Sequence, residues 1–269
     1  MPAHIPGRFF LYNLVARRGL LFQLVRRDFE QRFVGSVAGW VWGIIQPLVL
    51  LASWTFVFSV CLHQKLPKGQ PGNYPLYLFA GMLPWLLFSE TVQRSSSSLL
   101  ENANIITKTV FPAEMVPLSV FLSSLVSHLM ALGLLLAAVG IWLRVLSPAI
   151  LLVPVYMVLV GMLAVGIGWI AAALQVYLRD TSQVLTVVLT GWFWLTPIFI
   201  FEDQLPARLR FVISLNPLAY VVRAYRQLLQ STQMPSAADT AVVAGFAAGA
   251  FVLGGLIFRH LKRGFADVL

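Results

Sequence analysis

The sequence is short of charge. Asp, Glu, Lys and Arg make up 11% of its 269 residues, where a soluble domain carries about 25%. A soluble fold with an ordinary charged surface is therefore excluded. Cysteine is nearly absent. Cys61 stands alone, which excludes a disulfide framework and any multi-cysteine metal site. No Gly-Lys dipeptide occurs, so a Walker A loop, GxxxxGK[ST], is impossible on this chain. HExxH and GxSxG are missing, and the acids stand near helix ends or in loops rather than as catalytic pairs. Within the long apolar stretches the ionisable groups reduce to Glu90 and His128. A proton or ion relay needs several, so proton-coupled transport is disfavoured. His128 reads better as a polar residue bonded to a neighbouring helix. A cleaved signal peptide is not expected either, because basic residues from Arg8 to Arg32 reach too far ahead of the first long apolar run.

Apolar residues are what the chain has. They make up 59% of it, and the mean hydropathy is +0.82. This is the composition of an integral membrane protein. Six intervals free of Asp, Glu, Lys and Arg each hold the roughly 20 residues a helix needs to cross about 30 Å of hydrocarbon. They place spans near 37–61, 75–95, 117–142, 150–177, 183–201 and 240–260. A β-barrel is excluded, since its signal is short alternating segments. The expected fold is an all-α polytopic membrane protein. Residues 1–36 form an N-terminal interfacial segment, 37–260 a six-helix membrane domain and 261–269 a cytoplasmic tail.

The net charge of +9 is explained by topology rather than by nucleic acid. With the N-terminus inside, twelve of the 19 basic residues lie inside: Arg8, Arg17, Arg18, Arg26, Arg27, Arg32, Arg94, Lys108, Arg179, Arg259, Lys262 and Arg263. That bias sets both termini in the cytoplasm. The inside loops are then 96–116 and 178–182, and the outside loops 62–74, 143–149 and 202–239.

Four segments stand out. Phe22, Val25, Phe29 and Phe33 follow helical spacing within 8–33, with Arg26, Arg27, Glu30 and Arg32 elsewhere on the wheel. An amphipathic helix in the cytoplasmic interface fits; a purely topological anchor is the alternative. Gly35, Gly39 and Gly43, and again Gly245 and Gly249, repeat every four residues, a pattern that suits close helix packing. The inside loop carries "ENANIITKTVFPAEMVP", with Ser98 and Glu101 spaced as a capping box and Pro112 and Pro117 marking the return to the membrane. A short helix across the cytoplasmic face fits it; a solvated loop is the alternative. Outside, Asn216-Pro217 is a helix start. Leu218, Val221, Val222, Tyr225 and Leu229 then share one face, and Arg223, Arg226 and Gln227 another. That is an amphipathic helix at the outer surface or dipping into it.

Aromatic residues crowd two spans. Trp54 and Phe58 lie in the first; Trp192, Phe193, Trp194 and Phe199 lie in the fifth, beside Pro197, an expected kink. Sugar rings present apolar C–H faces, so such residues suit the wall of a glycan path. An interfacial aromatic belt is the competing reading for each.

These pieces together resemble the membrane subunits of type-two ABC exporters, above all those that export O-antigen and related polysaccharides. The resemblance rests on "ENANIITKTVFPAEMVPL", "LVRRDFEQRFVGSVAGWVWGIIQPL", "PLYLFAGMLPWLLFSE", "YLRDTSQV" and "LNPLAYVVRAYRQLL", which occur in order over about residues 20–260. It implies six membrane helices per subunit and a pore formed by a homodimer. It implies two copies of a separate ABC ATPase, which supply ATP and Mg; this chain itself carries no cofactor. It implies a coupling helix that docks on the ATPase, carried here by Glu101, Asn102, Ala103, Asn104, Ile105 and Ile106, with Lys108, Phe111 and Pro112 as its return. It implies that Arg26, Arg27, Asp28, Phe29 and Arg32 form the interfacial helix near that ATPase. Arg179 and Asp180 match a charged pair at the second inside link, as an anchor or ion pair. Asn216, Pro217, Tyr220 and Tyr225 match a re-entrant outside helix near the pore exit. The implied substrate is a lipid-linked glycan, the implied setting the bacterial inner membrane and its lipids. Capsule, teichoic acid or a small drug-like molecule are substrates within the same family. A membrane-embedded glycosyl or lipid transferase would need acids or histidines gathered at one membrane face, and the sequence offers none. A stand-alone channel or scaffold would need no ATPase.

Overall fold

The computed structural model describes residues 17–32, 36–37, 39–66, 73–108, 111–142, 148–199, 201, 206–231 and 233–265. The described residues are helical and include no strand. Their helices are α1 (Arg18–Gln31), α2 (Trp42–Thr55), α3 (Tyr74–Glu101), α4 (Ala103–Lys108), α5 (Met115–Trp142), α6 (Val153–Tyr177), α7 (Thr181–Trp194), α8 (Ala207–Ser214), α9 (Pro217–Gln230) and α10 (Ala237–Leu261).

Among the described residues, five helical stretches are long and apolar enough to cross a membrane: Gly39–Cys61, Tyr74–Glu101, Met115–Ile141, Pro148–Tyr177 and Ala237–Gly264. The protein is thus a multi-pass membrane protein. The expected fifth span, 183–201, is instead the 14-residue α7. At 1.5 Å per residue it reaches about 21 Å, short of the roughly 30 Å hydrocarbon layer. Pro197 is not a kink within a helix; it follows the end of α7 at Trp194.

The central helix is α3. It packs on α5, α6, α7 and α9, while α10 lies along α6, and most of its residues are buried. Asn73 opens it by accepting a 3.1 Å hydrogen bond from the Leu76 N–H, with Pro75 in the first turn. The helix runs six residues past its expected end at 95. The capping box does not form, because Ser98 lies inside the helix and donates to the Ser95 carbonyl at 2.7 Å. Glu101 accepts instead from Ser97 at 2.6 Å. The first span is peripheral, and no described residue of Gly39–Cys61 is buried. It starts as a 3-10 turn at Gly39, whose φ of +51° suits glycine, and ends as a π-helix over Phe56–Cys61. Gly39 precedes α2, so it shares no helix face with Gly43; Gly35 lies outside the described residues.

The close helix contact is elsewhere. Gly245 and Gly249 have open space where a Cβ would stand. A Cβ on Gly254 would overlap the Gly166 carbonyl, and one on Gly166 would overlap the Ala250 carbonyl. The backbones of α6 and α10 therefore touch at Gly166 and Gly254. Further polar contacts hold this pair. Tyr156 and Thr240 hydroxyls lie 2.7 Å apart, and Tyr177 donates to the Leu261 carbonyl at 2.7 Å; Lys262, just past α10, pairs instead with Glu114, just ahead of α5, at 2.6 Å.

Candidate functional site

Helices α1, α3 and α4 converge at the end of α3. Asn102 breaks the helix between α3 and α4 and is held on both sides. Its amide donates to the Ser98 carbonyl at 2.8 Å, and its carbonyl accepts from Arg27 of α1 at 2.9 Å. The six residues of α4 thus start from a joint fixed to α1. Glu101 and Asn104 are exposed, Ala103, Ile105 and Ile106 partly buried, and Ile106 packs against the core. Lys108 closes α4; its side chain lies outside the described ones. Phe111 and Pro112 return the chain to α5, Pro112 buried.

Helix α1, expected to lie in the membrane interface, is amphipathic in a different register from the expected one. Leu24 is its buried residue, whereas Phe22 is 69% exposed. Phe29 is partly buried, and Phe33 and residues 8–16 lie outside the described residues. Arg26 faces solvent and pairs with Glu30 at 2.8 Å. Asp28 and Arg32 turn the other way, into the helix bundle. Asp28 accepts from Arg94 of α3 at 2.9 Å through both its oxygens. Arg32 pairs with Glu90 of α3 and donates to Ser127 of α5 at 2.6 Å. Glu90 also accepts from Ser124 at 3.0 Å. Burial, then the nearby Arg94 guanidinium, lower the Arg32 pKa to about 10, with Asp28 pulling the other way; the side chain stays charged at neutral pH. Sequence reasoning missed this cluster. The signal was present in the four-residue spacing of Asp28 and Arg32 and of Glu90 and Arg94.

Above the cluster runs an open groove of about 880 Å³ between α2, α3, α5 and α7. One end is lined by Arg32, Glu90, Gln93, Arg94, Ser124 and Ser127, and Gln46, Ser89, Thr186 and Thr190 add further polar groups to the lining. Trp54, Trp85 and Phe193 form an aromatic wall. The six aromatics singled out from the sequence belong to one assembly with that wall. Phe58 stacks on Phe199 at 4.6 Å, and Trp54 meets Phe199 at 4.7 Å and Phe193 at 6.1 Å. Trp194 packs edge-on to Trp54 at 5.8 Å. Trp192 joins through Phe88, at 5.1 Å. Phe199 lies beneath the others, 3% exposed.

The chain then turns back within the protein. Helix α7 ends at Trp194 and its terminal carbonyls need partners. In hydrocarbon, non-helical backbone is tolerated only where protein groups satisfy it. Asn216 donates to the Leu195 carbonyl at 3.3 Å and to Thr196 Oγ1 at 3.0 Å. Arg226 donates to the carbonyls of Pro197 at 2.9 Å and Ile198 at 2.6 Å. Tyr74 donates to the Phe199 carbonyl at 3.0 Å. Asn216 also caps α9, accepting from the Leu218 N–H at 3.0 Å and from Trp192 Nε1 at 2.9 Å.

The inner face of α9 is Leu218, Val221, Val222, Tyr225 and Leu229, all buried as the spacing predicts. Pro217 is buried at its first turn, and Tyr220 donates to the Ser214 carbonyl at 2.9 Å. Tyr225 meets His128 Nε2 at 3.2 Å, the neighbour-helix bond expected of that histidine. The expected polar face does not hold for Arg226. Its guanidinium lies 3.6 Å over the Tyr77 ring, in space that Gly81 leaves open, since a Cβ there would stand 2.7 Å from Arg226 Nη2. Arg223 stays at the rim and pairs with Asp239 at 2.8 Å. At the link between α6 and α7, Arg179 and Asp180 are exposed and form no ion pair with each other. The link is held by Gln175, which donates to the Arg179 carbonyl at 2.8 Å and accepts from the Ser182 N–H at 2.7 Å. No cluster of potential metal ligands occurs among the described residues.

The sequence of this multi-pass helical protein is matched by a family model. The model for the ABC-2 type transporter covers residues 19–229. The chain belongs to the ABC-2 type transporter family. Its similarity to individual members of that family extends over almost its whole length. It is 28% identical to an O-antigen export system permease protein RfbA of Myxococcus xanthus, over 95% of this chain and 97% of that protein. A second permease of that name, from Klebsiella pneumoniae, is 28% identical over 96% of this chain and 98% of its own. The polysialic acid transport protein KpsM of Escherichia coli is 22% identical over 88% and 91%. The match begins at the head of α1 and ends within α9, so α1, the groove and the turn that follows α7 all lie inside it.

Proposed function

We propose that this protein is the membrane subunit of an ATP-driven exporter that moves a lipid-linked, O-antigen-like polysaccharide across the bacterial inner membrane. Two copies form the channel and two copies of a separate ATPase drive it. Nearly full-length similarity to permeases named for O-antigen export carries this reading. The groove supports it: aromatic rings suit the apolar faces of sugars, and amides and hydroxyls along it suit their hydroxyl groups. A polymer path should bind weakly and repeatedly, and no deep selective pocket interrupts the described groove. Export of polysialic acid-like capsule is the second reading, on the 22% relatives; the 28% relatives favour O-antigen.

In this reading the chain crosses the membrane six times, both termini inside. The short α7 completes a crossing because α8 and α9 re-enter to meet it. Helix α4 is the coupling helix, with Asn104 and Glu101 presented to the ATPase and Asn102 fixing its angle. A deletion strain should lose surface glycan and retain lipid-linked glycan at the cytoplasmic face; normal surface glycan would refute the reading. Within the purified complex, Asn104→Arg or Ile105→Arg should lower transport-coupled ATPase activity by about tenfold, an effect of the size of one lost interfacial contact set. Unchanged activity would remove α4 from the contact.

A further inference from the structure

We infer that Glu90 and Arg94 of α3 are positioning residues for transport: they clamp the end of α1 across the charged end of the groove, which opens when the clamp releases. The inference rests on the proposed reading in one respect, that the charged end is cytoplasmic and serves export. The geometry stands by itself. Asp28 and Arg32 are one turn apart on α1, as Glu90 and Arg94 are on α3. They pair crosswise, Asp28 with Arg94 at 2.9 Å and Arg32 with Glu90.

This antiparallel arrangement admits one register. A slip of one helical turn sets either Asp28 against Glu90 or Arg32 against Arg94, and like charges repel. The clamp therefore has no half-shifted state; it is engaged or released. Its charges balance two against two. The four side chains are 18–31% exposed, so a partner left alone is poorly solvated and the engaged state is favoured. Enough water remains for the pairs to exchange.

The clamp also reaches the groove walls. Arg32, Glu90 and Arg94 line its charged end. Arg32 bonds Ser127, and Glu90 bonds Ser124, both on α5. Three helices thus meet at one charged knot. The same α1 is tied to the head of α4 through Arg27 and Asn102. A displacement of α4 passes through Arg27 to α1 and then to the pairs that bridge the groove's end. Glu90 and Arg94 would act through α1, without needing to touch the transported molecule.

The test uses the full chain in inverted membrane vesicles with its ATPase co-expressed. Cys61→Ser removes the native thiol and Ser89→Cys places one inside the groove. A charged, impermeant methanethiosulfonate probes access from the exposed cytoplasmic face. Asp28→Arg or Arg94→Asp should each speed labelling about fivefold or more, the scale of one coupling interaction. Asp28→Arg combined with Arg94→Asp restores a pair of opposite sign and should return the rate to within about twofold of the parent. Where a charge reversal fails to accumulate in the membrane, Arg94→Gln and Glu90→Gln supply the same comparison with smaller increments. Singles that label at the parental rate would overturn the clamp, as would a double variant that labels as fast as the singles. The surface glycan of the deletion strain is a separate readout, so the clamp and the proposed substrate fail independently.

Discussion

Arg226 shows what one residue does where the protein buries backbone carbonyls that no helix satisfies. Its guanidinium satisfies two carbonyls just beyond the end of α7 and lies on the Tyr77 ring. Replacing it with alanine leaves two buried acceptors without partners, each worth about 1–3 kcal/mol, and loses the cation–π contact. Arg226→Ala should therefore lower the apparent unfolding temperature of the purified protein by several degrees and reduce its abundance in the membrane. Arg226→Lys should fall between, because an ammonium lacks the planar fork that reaches two carbonyls at once. Equal stability of all three would show that these contacts add nothing. The sequence reading put Arg226 with Arg223 and Gln227 on the face opposite the apolar one, because periodicity reports which side of a helix a residue takes, not what lies there. Asn216 was legible as an N-cap, and the structure gives it that role. Its bonds to Trp192, Leu195 and Thr196 were not, since they join residues about 20 apart.

At the level of helices, apolar runs and charge gaps located α3, α5, α6 and α10 well, and the turn residues around Asn216 located α9. Helix packing was less legible. Glycine spacing pointed to Gly245 and Gly249, yet the contact runs through Gly166 and Gly254. A repeat of four residues marks a small-residue face but names no partner, and glycine is frequent in membrane helices generally. The two pairs make a direct comparison. Gly254→Leu forces α6 and α10 apart and should destabilise by about 1–3 kcal/mol or more. Gly245→Leu enters open space and should change stability little in the single chain. Thermal unfolding of the two variants in the same detergent decides it. A large loss from Gly245→Leu alone would mean that this face is covered in the assembled protein. The polar 96–116 segment was legible as a short helix or a solvated loop, and a helix, α4, is what forms. Its joint to α1 was not, because Arg27 and Asn102 are 75 residues apart.

For the molecule as a whole, the open matter is the number of crossings, and α7 decides it. Among the described residues, five stretches meet the length and hydropathy of a span, and an odd number would put the termini on opposite faces. Helix α7 is too short to cross alone. The carbonyls beyond its end are nonetheless capped by Asn216, Arg226 and Tyr74, so its end need not reach water. The chain is free to complete the crossing inside protein, with α8 and α9 closing the outer side. Charge bias agrees, since basic residues gather at both ends of the chain. Six crossings put Gln23 of α1 and His260 of α10 on one face, and Cys61 and Met234 on the other. Single thiols test this in intact cells and inverted vesicles with an impermeant reagent. The native Cys61, exposed at the end of the first span, is one probe. Gln23→Cys, Met234→Cys and His260→Cys on a Cys61→Ser background are the others. Cys61 and Met234→Cys should label in intact cells, and Gln23→Cys and His260→Cys only in inverted vesicles. Labelling of Gln23→Cys and His260→Cys from opposite faces would establish five crossings and make α7 a helix that enters the membrane and returns.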